Sequence, residues 1–206
     1  MDSQFIEEIR NYLIQEYKCH SIILYGSYVN GDYTEESDID IVCFTDEENM
    51  KSNDTSIVGN KQLDAWIYKT EKMEDIEGFL RIRGGKVLLD KKGLCKGFLH
   101  KINELFQQGP KQLTLEEKHF LQSWIQKMHR RAQKGDVEGN YRYHWLLVDS
   151  LSIYFSLKDI WYLGPKQSLK WLYENEREVY VLFDRVLGPN AETENINQLV
   201  EHIMNI

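Results

Sequence analysis

The stretch from Leu24 to Val42 constrains this chain more than any other. Its first part, Ile22-Ile23-Leu24, is an apolar run that ends at Tyr25-Gly26-Ser27. The second, Asp38-Ile39-Asp40-Ile41-Val42, alternates acid and isoleucine. This pattern predicts strand, glycine turn, short helical turn, strand. Side chains alternate faces along a strand, so Asp38 and Asp40 share one face and Ile39 and Ile41 take the other. Carboxylates two residues apart lie roughly 7 Å apart at the backbone and can lean onto a shared cation, and hard divalent cations such as Mg²⁺ take oxygen ligands. Gly26-Ser27 sits where backbone N–H groups at a tight turn attract anionic oxygens, and the Ser27 hydroxyl adds a hydrogen-bonding group. Alone, Gly-Ser would be read as an ordinary turn. Next to a carboxylate pair it suggests a phosphate-binding turn beside a metal site, the requirements of a nucleoside triphosphate.

Gly26-Ser27, the ten residues 28–37 and then Asp38-Ile39-Asp40 resemble the signature of the DNA polymerase β-like nucleotidyltransferase superfamily. The likeness is strongest over residues 20–68. Many small members carry an arginine near the positions of Tyr28 or Asn30, and this chain has none there. The resemblance implies a third metal-binding carboxylate on the following strand. Asp64 is the only acid within Gln62-Leu63-Asp64-Ala65-Trp66-Ile67-Tyr68, whose alternation reads as that strand. An acid flanked by apolar residues is costly unless paired or metal-bound. The family reaction is attack of an acceptor hydroxyl on the α-phosphorus of a nucleoside triphosphate, with loss of pyrophosphate and two Mg²⁺ ions in support. Asp38, Asp40 and Asp64 are thus the expected catalytic and metal-binding residues, with Gly26 and Ser27 on the triphosphate.

The rest of the chain reads as an α+β catalytic part followed by helices. Phe5, Ile6, Ile9, Tyr12, Leu13 and Tyr17 predict a helix over 3–18 with Ser3 as its cap. Residues 46–59 are polar and read as a loop, 71–83 as a helix, 86–90 as a short strand, and Phe98 to Phe106 as a helix ending near Gly109-Pro110. That Gly-Pro pair is the expected boundary between a nucleotidyltransferase domain, 1–109, with a small mixed, palm-like sheet, and an all-α bundle, 110–206. Thr114-Leu115-Glu116-Glu117 is a capping box. Further helices are expected over about 139–158, from Gly164-Pro165 onward, and over 176–187 and 192–204. This plan resembles the antibiotic nucleotidyltransferases of the kanamycin and lincosamide type, whose helical part supplies an added carboxylate as base; Glu138, Asp149 and Asp159 are the candidates. Lys166, in a first helical turn where the dipole does not favour a cation, is a candidate phosphate contact or a solvated lysine. Arg142 could touch substrate or pack on a ring. Trp145, Tyr154, Trp161 and Trp171 could line an acceptor pocket, although aromatics at helical spacing are more often core.

Composition narrows the function. Net charge is −8, with 19 acidic and 12 basic residues before position 101 and 14 and 13 from that position onward. An acidic front half argues against a broad nucleic-acid-binding face and suits a cationic acceptor. No apolar run is long enough to span a membrane. The N-terminus lacks a signal-peptide pattern, and Cys19, Cys43 and Cys95 form no CxxC pair, so a cytoplasmic protein with reduced, buried thiols is expected. The leading expectation is transfer of AMP from ATP to a hydroxyl of a small molecule, of which aminoglycosides and lincosamides are the family's best-known examples and antibiotic resistance the setting. The alternatives are a protein AMPylator of the toxin–antitoxin type and a non-catalytic nucleotide-binding module. A homodimer is compatible with all three.

Overall fold

The computed structural model describes residues 3–189 and 191–206, except for the side chain of Ser3, so the expected Ser3 cap lies outside the described residues. Chain contacts divide it into two compact units, Met1–Gln108 and Gly109–Ile206.

The first unit is built on a mixed sheet. Its strands are β1 (Ser21–Leu24), β2 (Ile39–Thr45), β3 (Asn53–Asp54), β4 (Ile57–Val58), β5 (Lys61–Lys69) and β6 (Lys86–Asp90). The order is β3-β5-β2-β1-β6, with β4 also pairing with β5. Only β2 and β5 run parallel; the other pairings are antiparallel. Ile39, Ile41 and Cys43 on β2 and Leu63, Ala65 and Ile67 on β5 are buried, sharing a core with Ile9 and Leu13 of helix α1 (Ser3–Tyr17). On the other face Asp40 and Asp64 stand near the start of their strands, while Val42 and Phe44 farther along β2 are buried as well. Helices α2 (Ser27–Asn30) and α3 (Cys95–Gln108) complete the unit.

Two expectations for this unit need correction. Residues 46–59 are not all loop: Asn53–Asp54 and Ile57–Val58 pair with β5, drawn in by the edge of that strand rather than by a pattern of their own. Residues 71–83 form no α-helix but two 3₁₀ segments, Thr70–Glu74 and Glu77–Ile82. Asp75 separates them, accepting a hydrogen bond from the Gly78 N–H at 3.2 Å, a local side-chain contact that competes with helix continuation.

The second unit is all helical: α4 (Leu115–Ala132), α5 (Val137–Leu157), α6 (Pro165–Asn175), α7 (Arg177–Leu187) and α8 (Thr193–Met204). The Thr114–Glu117 capping box opens α4, and Asp136 caps α5 through the Gly139 N–H at 2.7 Å. Ile125, Leu146, Leu151, Phe155, Leu172 and Phe183 belong to its core. No described helix is long and apolar enough to cross a membrane.

Candidate active site

Parallel pairing of β2 with β5 sets Asp40 opposite Asp64, between the pairs Ile39–Leu63 and Ile41–Ala65. Neighbouring strands lie about 4.8 Å apart, and side chains in register on a parallel pair point to the same face. The two carboxylates therefore stand side by side on the face opposite the apolar core, both half-buried. Asp38 is exposed and lies one residue before β2 begins. Among the described residues, no group of three or more histidine, cysteine or acidic side chains is gathered closely enough to enclose a metal ion.

Gly26 is tied to this pair in a way the sequence did not suggest. It adopts φ 72° and ψ −149°, a backbone region nearly confined to glycine. A Cβ on it would lie 2.1 Å from Asp40 Oδ2. The missing side chain thus makes room for the Asp40 carboxylate. The backbone reinforces the link, since Tyr25 N–H donates to the Asp40 carbonyl at 3.0 Å. Ser27, buried, begins the short α2, which Gly31 closes in the left-handed region with its N–H on the Ser27 carbonyl at 2.9 Å.

Three further residues belong to the site. Asn53 of β3 donates through Nδ2 to Asp64 Oδ1 at 3.2 Å and so orients that carboxylate. Tyr25 is buried at the end of β1; burial pushes its phenol well above the ordinary value, while the Arg81 charge opposes this and the charges of Asp40 and Asp64 add to it. Arg81, on the second 3₁₀ segment, lies 5.5 Å from the Trp66 ring centroid and 5.8 Å from that of Tyr25. Asn53 sits in a stretch without pattern. Arg81 sits where a helix was expected, which would have aimed it differently. Neither left a signal in the sequence.

The donor set fits a divalent cation. Asp40 and Asp64 offer adjacent hard oxygen ligands, and the space at Gly26 holds one of them against the turn. In the helical unit, several sequence candidates are occupied structurally. Asp159 accepts from Lys118 Nζ at 2.7 Å and from the Leu113 N–H, and Lys118 holds its carboxyl below the ordinary value. Glu138 pairs with Arg142 at 3.2 Å, and Arg142 lies 5.5 Å from the Trp145 ring centroid. Tyr154 is buried and donates to Glu176, and Trp171 packs edge-on against Phe155. Asp149 is half-buried, and Lys166 is exposed in the first turn of α6.

Comparison with known proteins places the chain in a family. A candidate protein adenylyltransferase of Methanocaldococcus jannaschii is 34% identical over 99 residues, 48% of this chain and 83% of that protein. A second from the same organism is 49% identical over 47 residues, 22% of this chain and 47% of its own length. A nucleotidyltransferase-like protein from Exiguobacterium sibiricum aligns over 98% of this chain and 74% of its own, with a TM-score of 0.46 and 11% identity. The nucleotidyltransferase domain family matches residues 6–131, and the chain belongs to that family.

Proposed function

We propose that this nucleotidyltransferase moves AMP from ATP onto an acceptor hydroxyl, with Mg²⁺ held by Asp40 and Asp64. The observation that carries the reading is the register pairing of these two half-buried acids on the sheet face opposite Ile39 and Ile41, with the Asp40 carboxylate seated against Gly26. In this reading residues 1–109 form the catalytic domain and 110–206 a helical domain. Asp38, exposed on the connection before β2, adds an oxygen only by turning in toward the pair when a cation binds, and Gly26 and Ser27 meet the triphosphate. Bound cations supply positive charge at the attacking and leaving oxygens. The protein's own part is to place them: the core fixes the strand register, Asn53 orients Asp64, and the glycine turn seats Asp40.

Two acceptor classes follow. A small-molecule hydroxyl, aminoglycoside-like or lincosamide-like, suits the acidic first half of the chain. A protein hydroxyl is favoured by a more specific observation, the names of both M. jannaschii relatives. Incubation with α-labelled ATP and Mg²⁺, against an antibiotic panel and against proteins of the source cell, separates the two. Label in a protein band supports AMPylation, and label in a small molecule supports the antibiotic-type reaction. If no acceptor takes label, no pyrophosphate forms, and Mg²⁺–ATP does not bind, the reading is wrong.

A further inference from the structure

Nucleotide transfer from ATP requires a grip on the departing pyrophosphate, and no lysine or arginine lies between Tyr25 and Asp40. We infer that Arg81 supplies that grip, binding the β- and γ-phosphates from the 3₁₀ segment after β5. The inference rests on the ATP-dependent reading above and adds a specific residue to it.

The geometry comes from three neighbours. Trp66 lies two residues beyond Asp64 on β5, so its side chain rises from the same face about 6.6 Å further along the strand. The Arg81 guanidinium stands over that ring, 5.5 Å from its centroid. On the other side it lies 5.8 Å from the ring of Tyr25, whose N–H is bonded to Asp40. Tyr68, two residues beyond Trp66, accepts a hydrogen bond from Arg81 Nη2 at 3.3 Å. Trp66 and Tyr68 are themselves stacked, with planes 15° apart. The exposed cation is therefore held by aromatic groups one pleat step from the carboxylate pair, on the same face of the sheet.

That arrangement has a chemical sense. Beside two carboxylates, an arginine without aromatic support would be free to fold onto them. Contact with the Trp66 and Tyr25 faces and the bond to Tyr68 restrict it to one region. A guanidinium presents its N–H groups in a planar fork matched to phosphate oxygens. An anionic chain beginning at a cation on Asp40 and Asp64 would reach the fork with its far end. Arg81 also lies within electrostatic range of the Tyr25 hydroxyl, as do both carboxylates, so the three charges share one neighbourhood. A guanidinium serving only to cover aromatic surface would have no reason to discriminate between nucleotides of different phosphate number.

The test uses that difference. Affinities of the full chain with Mg²⁺ are measured calorimetrically for AMP and for an ATP analogue with a methylene bridge between the α- and β-phosphorus. Arg81→Met should weaken the ATP analogue about tenfold to a hundredfold, the worth of one or two charge-assisted hydrogen bonds, and leave AMP nearly unchanged. Arg81→Lys keeps the charge and loses the fork, so it should fall between, and it carries the test if the methionine variant does not fold. Arg83→Met is the control: Arg83 stacks on Phe106, 3.8 Å from its ring centroid, and should bind both nucleotides as the wild type does. Equal losses for AMP and the ATP analogue, or no loss in the foldable Arg81 variants, would overturn the assignment. Failure of the wild type to bind the analogue at all would instead remove the ATP-dependent reading, so the two failures are distinct.

Discussion

Gly26→Ala separates the cost of backbone strain from the cost of moving a carboxylate. At φ 72° and ψ −149° an alanine is strained by about 1–3 kcal/mol. Its Cβ would also stand 2.1 Å from Asp40 Oδ2 and 2.8 Å from Asp40 Cγ. The side chain must retreat by about 1.3 Å to regain an ordinary contact at 3.4 Å. A shift of that size at a reacting centre costs about a hundredfold in rate. Gly31 supplies the matched comparison. It lies at φ 80° in the same turn, but a Cβ there meets nothing within 4 Å. Gly31→Ala should therefore cost about 1–2 kcal/mol in stability and leave catalysis almost intact. Both variants should melt a few degrees lower, and only Gly26→Ala should lose turnover, by about a hundredfold. The measurements are melting curves and ATP turnover with the acceptor found by labelling. If Gly26→Ala keeps near-native turnover, or Gly31→Ala loses as much, Gly26 is not reserved for the Asp40 carboxylate.

Other substitutions probe separate parts of the molecule. Asp40→Asn and Asp64→Asn should each reduce Mg²⁺-dependent turnover at least about a hundredfold, or ~2.7 kcal/mol, with circular dichroism unchanged; near-full activity at limiting Mg²⁺ in either removes that residue from the metal site. Burial alone would raise the pKa of Asp54, but hydrogen bonds from Ser56, Tyr17 and Tyr12 outweigh it and hold the carboxyl below the ordinary value. Its contribution is present above the unfolded carboxylate pKa of about 3.9 and is lost as pH falls through the lower folded value. Asp54→Asn should therefore cost about 2 kcal/mol at neutral pH and flatten the loss of stability below about pH 4; an unchanged acid limb in denaturant titrations would contradict this. Thr114→Ala breaks the capping box of α4 and should cost about 1 kcal/mol, or about 2–4 °C in melting temperature, without affecting nucleotide affinity.

The sequence was legible where a period or a turn chemistry spoke. Alternation in Asp38–Val42 and in Leu63–Tyr68 defined two strands and the faces of their acids, and the structure pairs them with Asp40 against Asp64. Glycine at 26 marked a turn, yet its closest demand comes from a side chain on another strand, which no local pattern reveals. Asn53 was hidden because two-residue strands have no period, and β3 exists through its pairing with β5. Arg81 was hidden because residues 71–83 read as one helix, whereas the Asp75 contact with Gly78 divides the segment into 3₁₀ turns. In the helical unit, caps and apolar stripes located the helices. The choice between acceptor pocket and core went to core for Tyr154 and Trp171, as burial of large aromatics at helical spacing favours.

The position of the carboxylate pair is secured by residues that take no part in the chemistry. Seven register pairs join β2 to β5, from Ile39–Leu63 to Thr45–Lys69. A slip of one residue would turn every side chain of one strand to the opposite face. It would drive an aspartate into the core that holds Ile39, Ile41, Leu63 and Ala65, all at 0% exposure, and displace Val42 and Phe44, which are equally buried on the other face. Each fully buried leucine or isoleucine favours the native register by about 1.5–3 kcal/mol, and an unpaired buried carboxylate adds a larger penalty. The register thus has a steep free-energy gap that does not depend on the acids themselves. Asp40 and Asp64 can be replaced without moving the strands that carry them. Substitutions of Asp40 and Asp64 should then appear in nucleotide chemistry, and those of the buried residues on either face, Val42 and Phe44 included, in stability.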